Sequence, residues 1–181
     1  MKILIINGSP RLSGNTRTAL NEISQGIRSN ITGTELELID VTKYKLSGCI
    51  NCDTCLKNGG NCVLPDDSAE IIRKIYDSDV VILGTPVYYW GVTAQLKMIV
   101  DKMYSKDEQL RQQKKKLGIV AVGAADLDDR EYGLIGEQFG CICNYLGWEL
   151  IFSHSVTAFE AGDLAGDSVK RKELNGLWRM I

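Results

Sequence analysis

Short apolar runs rich in branched residues alternate along the chain with segments whose apolar residues recur at helical spacing. The runs predict strands at Lys2–Asn7, Glu35–Asp40, Val80–Gly84, Leu117–Gly123 and Trp148–Ser153. Between them, Leu20, Ile23 and Ile27 mark one helical face, and Ile71, Ile72, Ile75 and Tyr76 a second. Leu96, Ile99, Val100 and Met103 mark a third, and Ile135, Phe139, Ile142 and Leu146 a fourth, all near the 3.6-residue period. A last helix is expected over Ser168 to Met180. Strands that alternate with helices imply a parallel sheet covered on both faces, because each crossover helix must pack back onto it. The expected fold class is therefore α/β: a flavodoxin-like, doubly wound five-stranded parallel sheet of order 2-1-3-4-5. One domain is expected over 1–181, with a cysteine-rich insertion loop at about 47–66.

That topology binds ligands at the switch between strands one and three, so the loops after strands one, three and four should carry unusual residues. They do: Gly8–Thr16, then Thr85–Gly91, then Gly123–Asp126.

Composition changes little. The 181 residues are 44% hydrophobic and 24% charged, ordinary for a soluble globular protein and enough for a core without staples. A net charge of -2 gives no case for a nucleic-acid partner. Lys114-Lys115-Lys116, the one basic run, reads as a solvated strand entrance. The apolar start is too short for a signal peptide, and no stretch approaches the roughly 18 apolar residues of a membrane span. A cytoplasmic location is expected, where six cysteines point to metal or redox chemistry more than to disulfides. The sequon Asn30-Ile31-Thr32 then carries no weight.

The first loop, Gly8-Ser9-Pro10-Arg11-Leu12-Ser13-Gly14-Asn15-Thr16, runs from a strand into a helix. A helix N-terminus offers unpaired amides and a positive dipole end to an anion. Ser9, Ser13, Asn15 and Thr16 add donors beside Gly14, Arg11 adds charge, and Thr16 stands where it can cap the helix. The nucleotide-triphosphate loop is excluded, since Gly8 and Gly14 are separated by five residues and Asn15 replaces its lysine. The dinucleotide fingerprint is absent too. A merely polar turn before a helix is the plain alternative.

Asn7-Gly8-Ser9-Pro10-Arg11 with Gly14-Asn15-Thr16 resembles the phosphate loop of the NAD(P)H-dependent FMN reductase superfamily. Thr85-Pro86-Val87-Tyr88-Tyr89-Trp90-Gly91 and Ala94-Gln95-Leu96-Lys97 resemble its flavin-ring segment. The resemblance implies FMN as cofactor, with its phosphate in the first loop. The ring would lie against Pro86, Val87, Tyr88, Tyr89, Trp90 and Gly91, with the amides from Val87 to Gly91 as donors. On topology, the loop after strand four, Gly123–Asp126, with Gly123 and Ala124 at its start, would close the other side. The alternative for the aromatics is a hydrophobic cap or a subunit interface, and the superfamily commonly places flavin sites at such interfaces, which implies a homodimer or homotetramer. No side chain stands out as a catalytic base; the chemistry would lie on FMN. His154, the single histidine, reads as structural.

Cys49, Cys52, Cys55 and Cys62 fall within 14 residues. Two CxxC steps that share their middle cysteine resemble iron–sulfur runs more than zinc sites. Their surroundings resemble the iron–sulfur flavoprotein branch, which implies a [4Fe–4S] cluster exchanging electrons with FMN. A loop that is reduced, disulfide-linked or zinc-loaded remains the alternative. Cys141 and Cys143 read as buried structural cysteines.

Three functions follow. One is a flavin-dependent oxidoreductase passing electrons from NAD(P)H to quinones, free flavin or other small acceptors. The second is an electron carrier whose cluster and FMN serve ferredoxin-like donors and protein acceptors. The third and weakest is a zinc- or flavin-binding regulatory module.

Overall fold

The computed structural model describes residues 1–181. Its sheet has five parallel strands in the order β2-β1-β3-β4-β5, as the flavodoxin-like topology predicts. The strands are β1 (Lys2–Asn7), β2 (Glu35–Asp40), β3 (Val80–Pro86), β4 (Lys116–Gly123) and β5 (Glu149–Thr157). The helices are α1 (Asn15–Asn30), α2 (Ser68–Asp77), α3 (Ala94–Lys102), α4 (Asp107–Arg111), α5 (Arg130–Leu146), α6 (Asp163–Gly166) and α7 (Ser168–Asn175).

Successive residues of the central strands serve opposite cores, which is why those strands read as unbroken apolar runs. Leu4 and Ile6 join Ile71, Ile75, Leu96, Ile99, Ile135 and Phe139 on the face of α2, α3 and α5. Ile3 and Ile5 join Leu20, Ile23, Ile27, Leu164 and Leu174 on the face of α1, α6 and α7. Gly26 lets α7 come close to α1: a Cβ there would stand 2.0 Å from the Asn175 carbonyl oxygen. The Arg171–Glu22 ion pair, at 2.7 Å, adds to that contact.

Four expectations change. β5 runs on to Thr157, because Ser153, His154 and Ser155 keep their backbone pairing with β4 although they lack apolar side chains. The final helix ends at Asn175 and continues as a 3-10 turn over Gly176–Met180. Lys115 is buried, not solvated: its ammonium donates to the carbonyls of Tyr76 (2.7 Å) and Ser78, at the C-terminal end of α2. Burial draws its pKa down from the ordinary lysine value. Cys143 is buried as expected and burial pushes its thiol up to about 11, whereas Cys141 is exposed. His154 is half-buried in β5, and burial lowers its pKa. No helix is long and apolar enough to cross a membrane.

Candidate functional site

The C-terminal ends of β1, β3, β4 and β5 surround one cleft. Its first wall is the loop after β1. Gly8 donates its amide to Gly84 at 2.7 Å, and a Cβ on Gly8 would lie 2.8 Å from the Leu96 Cβ. Only glycine permits that approach. The wholly buried Asn7 donates from Nδ2 to Asp40 (2.9 Å) and accepts the Ser9 amide at 3.2 Å. Ser9 Oγ in turn accepts the Arg11 amide at 3.1 Å, which leaves its own hydrogen free. Burial alone would raise the Asp40 carboxyl, but hydrogen bonds from Arg17 and Asn7 outweigh it and hold the group below its ordinary value. Arg17 is thereby committed to Asp40, and Arg11 is the loop's cation at the cleft.

α1 begins at Asn15 with Gly14 as its cap, and no side chain completes that cap. Thr16 is therefore a helical residue and not the cap. The amides of Asn15, Thr16 and Arg17 make no backbone hydrogen bond, so the helix end presents free donors as an anion site requires. Ser9, Arg11, Gly14, Asn15 and Thr16 all line the cleft. Ser13 is exposed and does not. The Asn15 side chain is engaged elsewhere. Its Nδ2 donates to the Glu160 carbonyl at 2.8 Å, and its Oδ1 accepts the amides of Gly162 (3.2 Å) and Leu164 (3.3 Å).

The second wall follows β3. Tyr88 and Gly91 exchange amide–carbonyl bonds of 2.9 and 3.1 Å around a two-residue turn. Tyr89 and Trp90 hold positive φ values of 47° and 60°, left-handed positions that glycine or asparagine usually fills. Such backbone costs on the order of 1–3 kcal/mol per residue, and it concentrates at functional sites. Pro86, Val87 and Tyr88 line the cleft, while Tyr89, Trp90 and Gly91 do not; Tyr89 is 97% exposed. Three of the expected donors are also spent. Val87 donates to Val122, Tyr88 to Gly91 and Gly91 to Tyr88, so only the Tyr89 and Trp90 amides in this stretch stay free.

Thr93, which sequence reasoning missed, bolts the two walls together. Its hydroxyl donates to the Gly8 carbonyl at 2.6 Å and accepts the Leu96 amide at 3.2 Å as the cap of α3. A threonine just ahead of a helical run was the signal. Gly123, Ala124 and Val122 form the third wall. Ala158, Phe159 and Ala161, also missed, form a fourth after β5, and Phe159 is 74% exposed. Ending β5 at Ser153 hid them.

The second site is the loop from 47 to 66. Cys49, Cys52, Cys55 and Cys62 line one pocket together with Ile50, Val63, Leu64, Tyr104 and Lys102. Asn51 and Asp53, at φ 52° and 55°, fold the chain back between the first three cysteines. Asn51 donates its amide to Cys49 Sγ at 3.4 Å. The Thr54 hydroxyl and amide lower the Cys52 thiol's pKa, whereas burial raises that of Cys55.

A buried ion pair shuts the loop's base. Lys102 and Asp66, with side chains 1% and 3% exposed, meet inside it. Asp66 also accepts the amide of Ser47 at 2.9 Å and that of Ser68 at 3.0 Å. Burial would raise its carboxyl, yet Lys102, Ser47 and Ser68 hold it far below the usual range.

Comparison with known proteins assigns this arrangement to a class. The model of the NADPH-dependent FMN reductase family matches residues 1–129, and the chain belongs to that family. An iron–sulfur flavoprotein of Methanocaldococcus jannaschii is 42% identical over 129 residues, 69% of this chain and 63% of its own length. A Bacillus subtilis protein named as an NAD(P)H-dependent FMN-containing oxidoreductase is 28% identical over 81% of this chain and 80% of its own. The solved FMN-dependent NADH-azoreductase of Bacillus anthracis superposes with a TM-score of 0.69 at 12% identity, covering 99% of this chain and 98% of that one, a likeness of fold. The chain spans about half to under two thirds of the first iron–sulfur flavoproteins it matches.

Proposed function

We propose that this protein is a flavin-dependent oxidoreductase that holds FMN in the cleft and a [4Fe–4S] cluster on Cys49, Cys52, Cys55 and Cys62. The carrying observation is that these four cysteines line a single pocket. Four thiols in two CxxC steps that share a cysteine suit a cluster, in which each thiolate binds a separate iron, better than zinc. Bound FMN accepts and releases hydride or single electrons, and a cluster exchanges single electrons with it. The chain's own residues do the rest. The free amides of Asn15, Thr16 and Arg17, with Ser9, Thr16 and Arg11, hold the phosphate. Pro86, Val87 and Tyr88 on one side and Gly123, Ala124 and Phe159 on the other enclose the ring. The Tyr89 and Trp90 amides, which make no backbone hydrogen bond, are the donors left at the turn.

Electrons would enter from NAD(P)H or a ferredoxin-like donor and leave to a small molecule or protein, with the protein working in the cytoplasm as a homodimer or homotetramer and without nucleic acid. Anaerobic reconstitution with FMN, iron and sulfide, followed by metal and sulfide analysis and titration with NADH, NADPH and reduced ferredoxin, tests this. About four irons and four sulfides per chain, lost on replacing Cys52 with Ser, are expected. Iron-free protein that still binds FMN and is bleached by NAD(P)H would refute the cluster. A second reading, an NAD(P)H-dependent FMN or quinone-type reductase without a cluster, draws on the Bacillus subtilis relative, matched over four fifths of both chains.

A further inference from the structure

Asn15 lies in the phosphate loop, yet its side chain points its polar atoms at a different segment. Three hydrogen bonds join it to the stretch after β5: Nδ2 to the Glu160 carbonyl at 2.8 Å, and the amides of Gly162 and Leu164 to Oδ1 at 3.2 and 3.3 Å. That stretch is also closed on itself. Asp163 Oδ2 accepts the amides of Phe159 at 2.9 Å and Glu160 at 2.7 Å. Leu164 is wholly buried in the core beneath α1 and the Ala158 amide donates to the Gly123 carbonyl at 2.8 Å, so the segment is pinned at both ends. Phe159, projecting from it, lines the flavin cleft while 74% exposed. Its ring is thus held at the mouth of the cleft, where it can meet a flat ligand.

We infer that Asn15 is a positioning residue, not a phosphate ligand: its carboxamide latches the 158–164 segment to the start of α1 and so sets Phe159 against the isoalloxazine ring. Its backbone amide stays with the anion site. One residue thus ties the phosphate end of the cleft to its ring end. The two ends come from opposite parts of the chain, and only the family-matched one, residues 1–129, contains Asn15. This inference rests on the flavin reading above, and its consequence is specific. Loss of the latch should weaken any ligand that carries the ring, with or without a phosphate.

The test compares FMN with riboflavin, which lacks the phosphate, in fluorescence titrations of the full chain and its variants. Asn15→Ala and Phe159→Ala are each expected to weaken both ligands by the same factor, roughly tenfold, and the double variant should be little worse than either. Asn15→Asp keeps the acceptor for Gly162 and Leu164, so its riboflavin affinity should recover relative to Asn15→Ala even where charge repulsion keeps FMN weak. In the flavin-free protein, hydrogen exchange at the amides of Phe159, Glu160, Gly162 and Leu164 should rise in Asn15→Ala and fall back in Asn15→Asp. A loss confined to FMN, with riboflavin binding and exchange unchanged, would make Asn15 a phosphate ligand and overturn the latch. An unsubstituted chain that takes up no flavin would instead overturn the flavin reading, and the exchange pattern would still decide the latch by itself.

Discussion

The two sites of this molecule are held in opposite ways. The cleft at the strand ends is made of backbone: strand ends, a helix start and tight turns, locked by short polar bonds such as Thr93 to Gly8 at 2.6 Å. The cysteine loop has almost no regular structure beyond the turn at Thr54–Lys57, and its base hangs on one buried charge pair, Lys102 with Asp66. The first is over-determined by the sheet, whereas the second depends on a few side chains. Damage should therefore spread differently from each. α3 connects them, with Thr93 capping its start at the cleft and Lys102 at its end under the cysteines.

The largest expected effect is on the cysteine side. Lys102→Met leaves the Asp66 carboxylate buried and unpaired, which should cost about 3–5 kcal/mol in urea unfolding. Alkylation of Cys49, Cys52, Cys55 and Cys62 in the metal-free protein should speed up in native buffer. Asp66→Leu combined with Lys102→Met should cost less than the single change, because no lone charge remains. If the single variant keeps wild-type stability, the pair does not hold the loop.

Next comes the backbone side. Gly8→Ala drives a methyl toward Leu96 and the Gly84 carbonyl, at 2.8 and 2.9 Å. A loss of about 1–3 kcal/mol is expected, with weaker FMN binding and unaltered thiol reactivity. Thr93→Val should cost about 1 kcal/mol through the lost cap. Because it also strands the Gly8 carbonyl, FMN affinity should fall with it; unchanged affinity would unlink α3 from the proposed phosphate site.

Acid sharpens the contrast. Asp66 is held far below the unfolded carboxylate value, so the native state binds fewer protons than the unfolded chain. The stability it contributes is complete above about pH 4 and is lost as pH falls through the folded pKa. Lys102→Met should flatten that acid-side slope in unfolding measured from pH 5 downward. The smallest effect separates neighbours on one turn. Tyr88→Ala should weaken FMN by about 0.5–1.5 kcal/mol, whereas Tyr89→Ala, at a side chain 97% exposed, should leave affinity within about 0.5 kcal/mol.

The strand order came from the flavodoxin-like topology and its loops. Periodicity was sufficient for the parallel strands and for the paired helical faces, because a strand covered on both sides must be apolar throughout and a covering helix must repeat every 3.6 residues. Where that demand lapses, so did the reading. The polar run Ser153-His154-Ser155 conceals an extended β5, and with it Phe159 and the fourth wall of the cleft. Lys115 looked like one of three solvated lysines, because a helix C-terminus that needs a donor leaves no mark on the strand that supplies it.

Glycines and hydroxyls at a strand end, and four cysteines within 14 residues, announce their chemistry locally, since turns and ligand sets are short-range properties of the chain. Side-chain commitments are not local. Arg17 turns to Asp40, Asn15 to Glu160, and Lys102 to Asp66, across separations of 23, 145 and 36 residues. The amino-acid sequence by itself determined which loops carry the glycines and hydroxyls and which carries the thiols. Only the tertiary structure decided which of their polar groups remain free to bind, because a donor's partner is chosen by folding distance and not by its place along the chain.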